Sequence, residues 1–113
     1  MNIFYEPQVP NISVDTLKNA LDTNEDFILL DVRTQEEYQR GHIAQSVHVP
    51  IDHLPNMIGK VVANKSQKIY AYCLSGSRST VAVDWLIQQG YANAFDVSHG
   101  LLAWRAKYYP VIQ

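Results

Sequence analysis

The strongest constraint on the fold of this chain is an alternation: short apolar runs take turns with segments of helical period. Residues 27–31, FILLD, are apolar up to the last position, as a parallel strand covered on both faces must be. Residues 68–73, KIYAYC, form the best strand of this kind, and residues 46–50, SVHVP, and 94–98, AFDVS, add briefer ones. Helix signals fill the intervals. Ser13 is placed to cap a helix whose apolar side is Val14, Leu17 and Leu21. Thr34 and Glu37 make a capping box for a short helix that stops at Gly41. Asp52 stands where it can cap a helix through Leu54, Met57 and Ile58, with Pro55 tolerated in the first turn. From about residue 77 to 89 Thr80, Asp84 and Gln88 form a polar stripe, while Val81, Ala82, Trp85 and Leu86 lie on an apolar side. Gly90 is a natural stop, and GLLAWRAKYY reads as a last helix closed by Pro110. Such alternation predicts an α/β fold: an open, mostly parallel sheet with helices on both faces. Strand order is not contained in the pattern.

At 113 residues there is room for one core. Nine basic and eleven acidic residues are scattered along the chain, leaving a net charge of −2 and no basic cluster of the kind a nucleic-acid surface needs. No apolar run approaches bilayer-spanning length. The opening, MNIFYEPQVPNIS, has neither a basic n-region nor an apolar h-region, so no secretory signal is expected. A lone cysteine forms no internal disulfide. Together these predict a cytoplasmic protein without nucleic-acid or membrane partners.

That cysteine, Cys73, ends the best strand and precedes a loop of small residues and the best helix. Ligands of open parallel sheets bind beyond the carboxyl ends of the strands. A helix N-terminus presents unpaired N–H groups and partial positive charge to this loop, an arrangement that stabilises anions. The placement is expected to favour an exposed thiolate over the thiol, whose free pKa is about 8.5. Gly76 permits a curl that converges the loop amides into an anion-binding nest. Arg78 adds a cation, and Ser75, Ser77 and Ser79 add hydroxyl donors. Free cysteines are also common as small buried core residues, and the junction alone leaves that alternative open. A phosphate-binding P-loop lacks its Gly-Lys-Ser/Thr ending here, and thioredoxin-type exchange lacks a resolving cysteine.

CLSGSRS resembles the active-site loop Cys-x-x-Gly-x-Arg-Ser of rhodanese-like sulfurtransferases, at Cys73, Gly76, Arg78 and Ser79. LDVRTQEEYQRGHI is similar to a second segment of that family through Asp31, Arg33, Glu37, Tyr38, Gly41 and His42. HGLLAW resembles its C-terminal Gly-Gly-x-x-x-Trp signature. The likeness runs in order from about residue 12 to 110. It implies one rhodanese-like domain over 1–113, with a five-stranded parallel sheet wrapped by helices. Gln45 and Ser46 stand where the family commonly has Gly-Ala, His48 where asparagine is frequent, His99 where the first signature glycine belongs. Leu74 replaces a charged residue that many active members carry after the cysteine.

The resemblance implies a sulfurtransferase. Cys73 takes a sulfane sulfur from a small donor such as thiosulfate, and cyanide, a small thiol or a protein thiol accepts it. Leu74, Ser75, Gly76, Ser77, Arg78 and Ser79 are expected to hold the substrate, with His99 lining the pocket. Arg78 either orients the donor or, the favoured role, braces the loop. A second class stays open: a binding or sulfur-relay module with little turnover of its own. Cysteine phosphatases of similar design place five residues between Cys and Arg, and here four intervene. His42, His48, His53 and His99 lack an i, i+4 partner or a nearby second cysteine, so no metal is expected, and no cofactor is implied. Asp31 and Arg33 read as a surface or loop-bracing ion pair, and Trp85 and Trp104 as helix residues packed on the sheet.

Overall fold

The structure, a computed structural model, describes residues 6–113. Strand β1 (Asn11–Ile12) leads into α1 (Val14–Asp22), β2 (Ile28–Asp31), α2 (Gln35–Arg40) and β3 (Val47–His48). A 3-10 turn (Ile51–His53) opens α3 (Leu54–Val61), and β4 (Ile69–Tyr72), α4 (Ser77–Gln88), β5 (Ala94–Val97) and α5 (Gly100–Ala106) complete the chain. The strands form one parallel sheet in the order β1-β5-β4-β2-β3, so the strand carrying the cysteine is central.

Successive strand residues face opposite sides, and β4 shows what that does. Ile69 and Ala71 join Leu30, Leu54, Ile58, Val83 and Leu86 in an apolar layer under α3 and α4. Tyr70 and Tyr72 join Val14, Leu17, Leu29, Leu101 and Trp104 in a second layer under α1 and α5. All four β4 side chains are buried, which is why its sequence reads as an unbroken run. Burial of each large aliphatic residue contributes roughly 1.5–3 kcal/mol. Among the described residues no helix is long and apolar enough to cross a membrane.

Local signals act as the residue types dictate. Ser13 Oγ accepts from Thr16 N, and Thr34 and Glu37 satisfy each other's backbone in a complete capping box. Several expectations are corrected. Asp52 caps nothing: Pro50 to His53 tighten into the 3-10 turn, which puts Asp52 inside that turn and exposed, and α3 begins at Leu54 without a side-chain cap. Val81, read as part of the apolar side of α4, is 47% exposed. Helix α5 ends at Ala106, because Tyr108 adopts a left-handed φ of 59° before Pro110 is reached. Strand β1 carries no apolar pattern of its own; it is marked only by its pairing with β5.

Candidate active site

Cys73 is the first residue beyond central strand β4. Gly76 follows at φ 108°, a conformation L side chains rarely adopt, and folds the loop so that α4 starts at Ser77. The curl brings amides onto the sulfur: Gly76 N lies 3.1 Å and Ser79 N 3.4 Å from Cys73 Sγ, with Ser79 Oγ also at 3.4 Å. These donors sit at the amino end of a twelve-residue helix, the end that stabilises negative charge.

Helix α5 braces the loop from behind. Its first free N–H groups, on Leu101 and Leu102, donate to the carbonyls of Cys73 (2.9 Å) and Leu74 (3.0 Å). In a planar trans peptide the N–H points opposite to the C=O, so the Leu74 and Ser75 amides are turned away from α5. Among the described residues the amides of Leu74, Ser75, Ser77 and Arg78 make no hydrogen bond within the chain. The result is a nest of donors with more capacity than the sulfur alone uses. Gly100 makes the brace possible. Its φ is +52°, and a Cβ there would sit 2.3 Å from the Cys73 carbonyl oxygen.

The expected exposed sulfur is corrected. Cys73 is 0% exposed: its side chain joins Ala71, Ala82 and Val83 in the apolar layer under α3 and α4, and the Gly76 and Ser79 amides close on the sulfur. The expected ring of hydroxyls is narrower too: Ser79 alone reaches the sulfur, while Ser75 and Ser77 face solvent. Leu74 is 38% exposed.

Arg78 makes no side-chain hydrogen bond to the sulfur. Its guanidinium clamps Glu37 with two bonds of 2.7 and 2.9 Å, tying α4 to α2. Hydrogen bonding from Arg78, with help from the Thr34 amide, holds the Glu37 carboxyl at about 2, well below its ordinary 4.5. Asp31 and Arg33 form a buried pair rather than a surface one. Their 2.6 Å contact is completed by a bond from Arg33 to the Gly41 carbonyl. His42 and His48 both stack on Tyr38 and bond to backbone carbonyls of Tyr38 and Arg33.

Beside the loop lies a cleft of about 370 Å³ walled by Glu6, Asn11, Ser75, Gly76, Asp96 and His99, among others. Cys73 is not in its wall. Asp96, on β5, reaches Ser79 Oγ at 2.5 Å. Burial pushes its carboxyl above the usual range, the Ser79 hydrogen bond partly opposing. His99, at φ 62°, precedes α5 on the cleft's rim. Neither Glu37 nor Asp96 is legible as a site residue beforehand. The signal for Asp96 is an acid inside the otherwise apolar run AFDV; Glu37 is hidden behind its capping role.

A model of the rhodanese-like domain matches residues 13–107. The chain belongs to the rhodanese-like family. It is 31% identical to a protein of Allochromatium vinosum named sulfurtransferase, over 92% of this chain and 95% of that one. It is 33% identical over 88% of its length to YrkF, a candidate sulfur carrier protein of Bacillus subtilis, of which it spans about half (52%). A rhodanese-related protein of Thermoplasma volcanium shares the fold at TM-score 0.81 and 32% identity, over 92% of this chain and 98% of that one. The loop at 73–79, which in sequence resembles the family's active-site loop, is the one whose amides close on the sulfur.

Proposed function

We propose that this rhodanese-like domain moves a sulfane sulfur through a persulfide on Cys73. The observation that carries the reading is the cradle: Cys73 Sγ held by the Gly76 and Ser79 amides, with the Leu74, Ser75, Ser77 and Arg78 amides unused. The thiolate attacks the outer sulfur of a donor such as thiosulfate. The donor S–S bond breaks, sulfite leaves with its electron pair, and Cys73 carries an anionic outer sulfur. That atom lies one S–S bond, about 2 Å, beyond Sγ, within range of amides that Sγ itself leaves unused. Preorganised donors of this kind contribute a few kcal/mol each, about 3–4 when one is removed. A nucleophilic acceptor, cyanide or a thiol, then takes the outer sulfur and restores the thiolate. Because the sulfur is sealed, the loop yields when the donor arrives.

A second reading, a sulfur-relay module with little turnover of small substrates, is favoured by that same sealing and by the exposed, apolar Leu74. Phosphatase chemistry is disfavoured. Only residues 74–77 separate Cys73 from Arg78, and the guanidinium that would clamp a phosphate is engaged by Glu37. The test is mass spectrometry of the reduced chain after thiosulfate or a persulfide donor, followed by transfer to cyanide and to thiols. One added sulfur on Cys73, absent from Cys73→Ser, is expected. Loading without transfer to cyanide selects the relay reading, and full transfer by Cys73→Ser removes both.

A further inference from the structure

The mechanism above leaves unused a buried carboxyl that forms no ion pair among the described residues, that of Asp96, which is 4% exposed. Its neighbour Ser79 has a single hydroxyl proton and three partners competing for it: Asp96 Oδ1 at 2.5 Å, the Gly76 carbonyl at 3.2 Å and Cys73 Sγ at 3.4 Å. We propose that Asp96 and Cys73 share one negative charge through the Ser79 hydroxyl, making Asp96 the positioning residue that sets when the sulfur is charged.

The bookkeeping of protons leads there. When Asp96 is ionised, Ser79 donates to it across the shortest contact, and its lone pair is left to accept the S–H proton, so the thiol is held. When Asp96 is protonated it donates to Ser79 Oγ instead, and the hydroxyl proton is released toward Sγ. The thiolate then gains a third donor beside the Gly76 and Ser79 amides. Passing between the two states breaks the S–H bond, hands that proton to Ser79 and moves the Ser79 proton onto Asp96; no heavy-atom bond and no oxidation state changes. Ionising both would bury two negative charges two hydrogen bonds apart, which low-dielectric surroundings disfavour.

Among the described residues no cation forms an ion pair with Asp96. Opposite Asp96 in the sheet stand Asn11 on β1 and Ala71 on β4, both uncharged. Glu6, on the segment before β1, lifts the Asp96 carboxyl further, and His99, before α5, lowers it. On the sulfur side Arg78 of α4, whose charge acts on Cys73, is held by Glu37 of α2, and Asp31 of β2 is matched by Arg33. Asp96 also walls the cleft, and Cys73 does not. For a sealed thiol the carboxyl is therefore the route by which its proton meets water.

This inference rests on Cys73 being the reactive sulfur, but its test does not depend on turnover. In the 13C-labelled chain the Asp96 Cγ and Cys73 Cβ shifts are followed by NMR from mildly acid to alkaline pH. Interacting sites titrate as a pair, so both carbons should report the same two steps. Capping Cys73 as its S-methyl disulfide, or Cys73→Ala, should reduce Asp96 to one step. Asp96→Asn should leave Cys73 a single step, with acid dissociation about tenfold stronger than in the upper step of the parent chain. Ser79→Ala should uncouple the two. An Asp96 curve unmoved by capping, or a Cys73 curve unmoved by Asp96→Asn, overturns the proposal. Should Asp96→Asn fail to fold, the capping arm decides alone, and a merely structural Asp96 would not respond to it. If the shifts are coupled but Cys73 never accepts sulfur, the functional reading falls and the shared charge stands.

Discussion

Gly100→Ala tests the brace behind the cradle. A methyl group at Gly100 would lie 2.3 Å from the Cys73 carbonyl oxygen and 2.8 Å from that of Leu74, where ordinary contact begins at 3.4 Å. Both obstacles are backbone, so no rotamer relieves them, and α5 must back away by roughly 1 Å (3.4 less 2.3). That retreat stretches the bonds from Leu101 and Leu102 to the loop carbonyls, each worth about 1 kcal/mol net. The left-handed φ of +52° costs an alanine a further 1–2 kcal/mol, roughly. The sum is about 3–4 kcal/mol, which in a domain of this size lowers Tm by roughly 10–20 °C. Urea unfolding followed by circular dichroism should show the midpoint falling with an unchanged slope. Sulfur loading of Cys73 should fall even where the variant is still folded, since the Leu74 and Ser75 amides lose their orientation. Gly59→Ala is the matched control: it lies in α3 with nothing within 4 Å of an added Cβ. There the substitution should stabilise by about 0.5–1 kcal/mol. A Gly100→Ala chain that melts and loads sulfur as the parent does would refute the brace.

Glu37→Gln keeps the capping box, because glutamine serves at that position, and removes only the charge that faces Arg78. The Glu37 carboxyl is depressed from 4.5 to about 2, so its stabilisation is complete above pH 4.5 and is lost as pH falls toward 2. The full shift is about 3 kcal/mol; with a quarter to a third of both side chains exposed, screening reduces it to about 1 kcal/mol. Parent and variant stabilities should differ by that amount near neutrality and converge in acid, and parallel curves would exclude the pair. His99→Gly relieves a left-handed φ of 62° and should raise stability by about 1 kcal/mol. Sulfur loading and acceptor transfer, measured separately, then show whether its side chain acts on the cleft; unchanged rates in both make it a bystander.

Much of this was written locally. The unbroken runs of β2 and β4 are legible because both faces of those strands are covered, and the caps at Ser13 and Thr34 because a hydroxyl and an amide three residues apart find each other without tertiary help. Strand β1 is illegible for the opposite reason: two residues are too few for a period, and only β5 defines them. The sealing of Cys73 comes from its place in the packed layer under α3 and α4, which only the assembled fold creates, and the Arg78–Glu37 and Ser79–Asp96 contacts likewise join residues 41 and 17 apart. Gln45 and His99, which stand where the family resemblance expects glycine, both keep positive φ values of 73° and 62°. The backbone there is imposed by the fold and not by the residue, so sequence departures at those positions do not announce a different shape.

The cysteine follows the strand that is flanked on both sides by paired strands, with β2 and β5 themselves covered by β3 and β1. Fraying begins at edges, and here two layers of neighbours stand between either edge and the root of the sulfur loop. Amides of β4 should therefore exchange with solvent only when the whole sheet comes apart. On the proposed reading, the loop that opens for a donor is hinged on the least yielding part of the molecule, which confines its motion to the few residues between that anchor and α4.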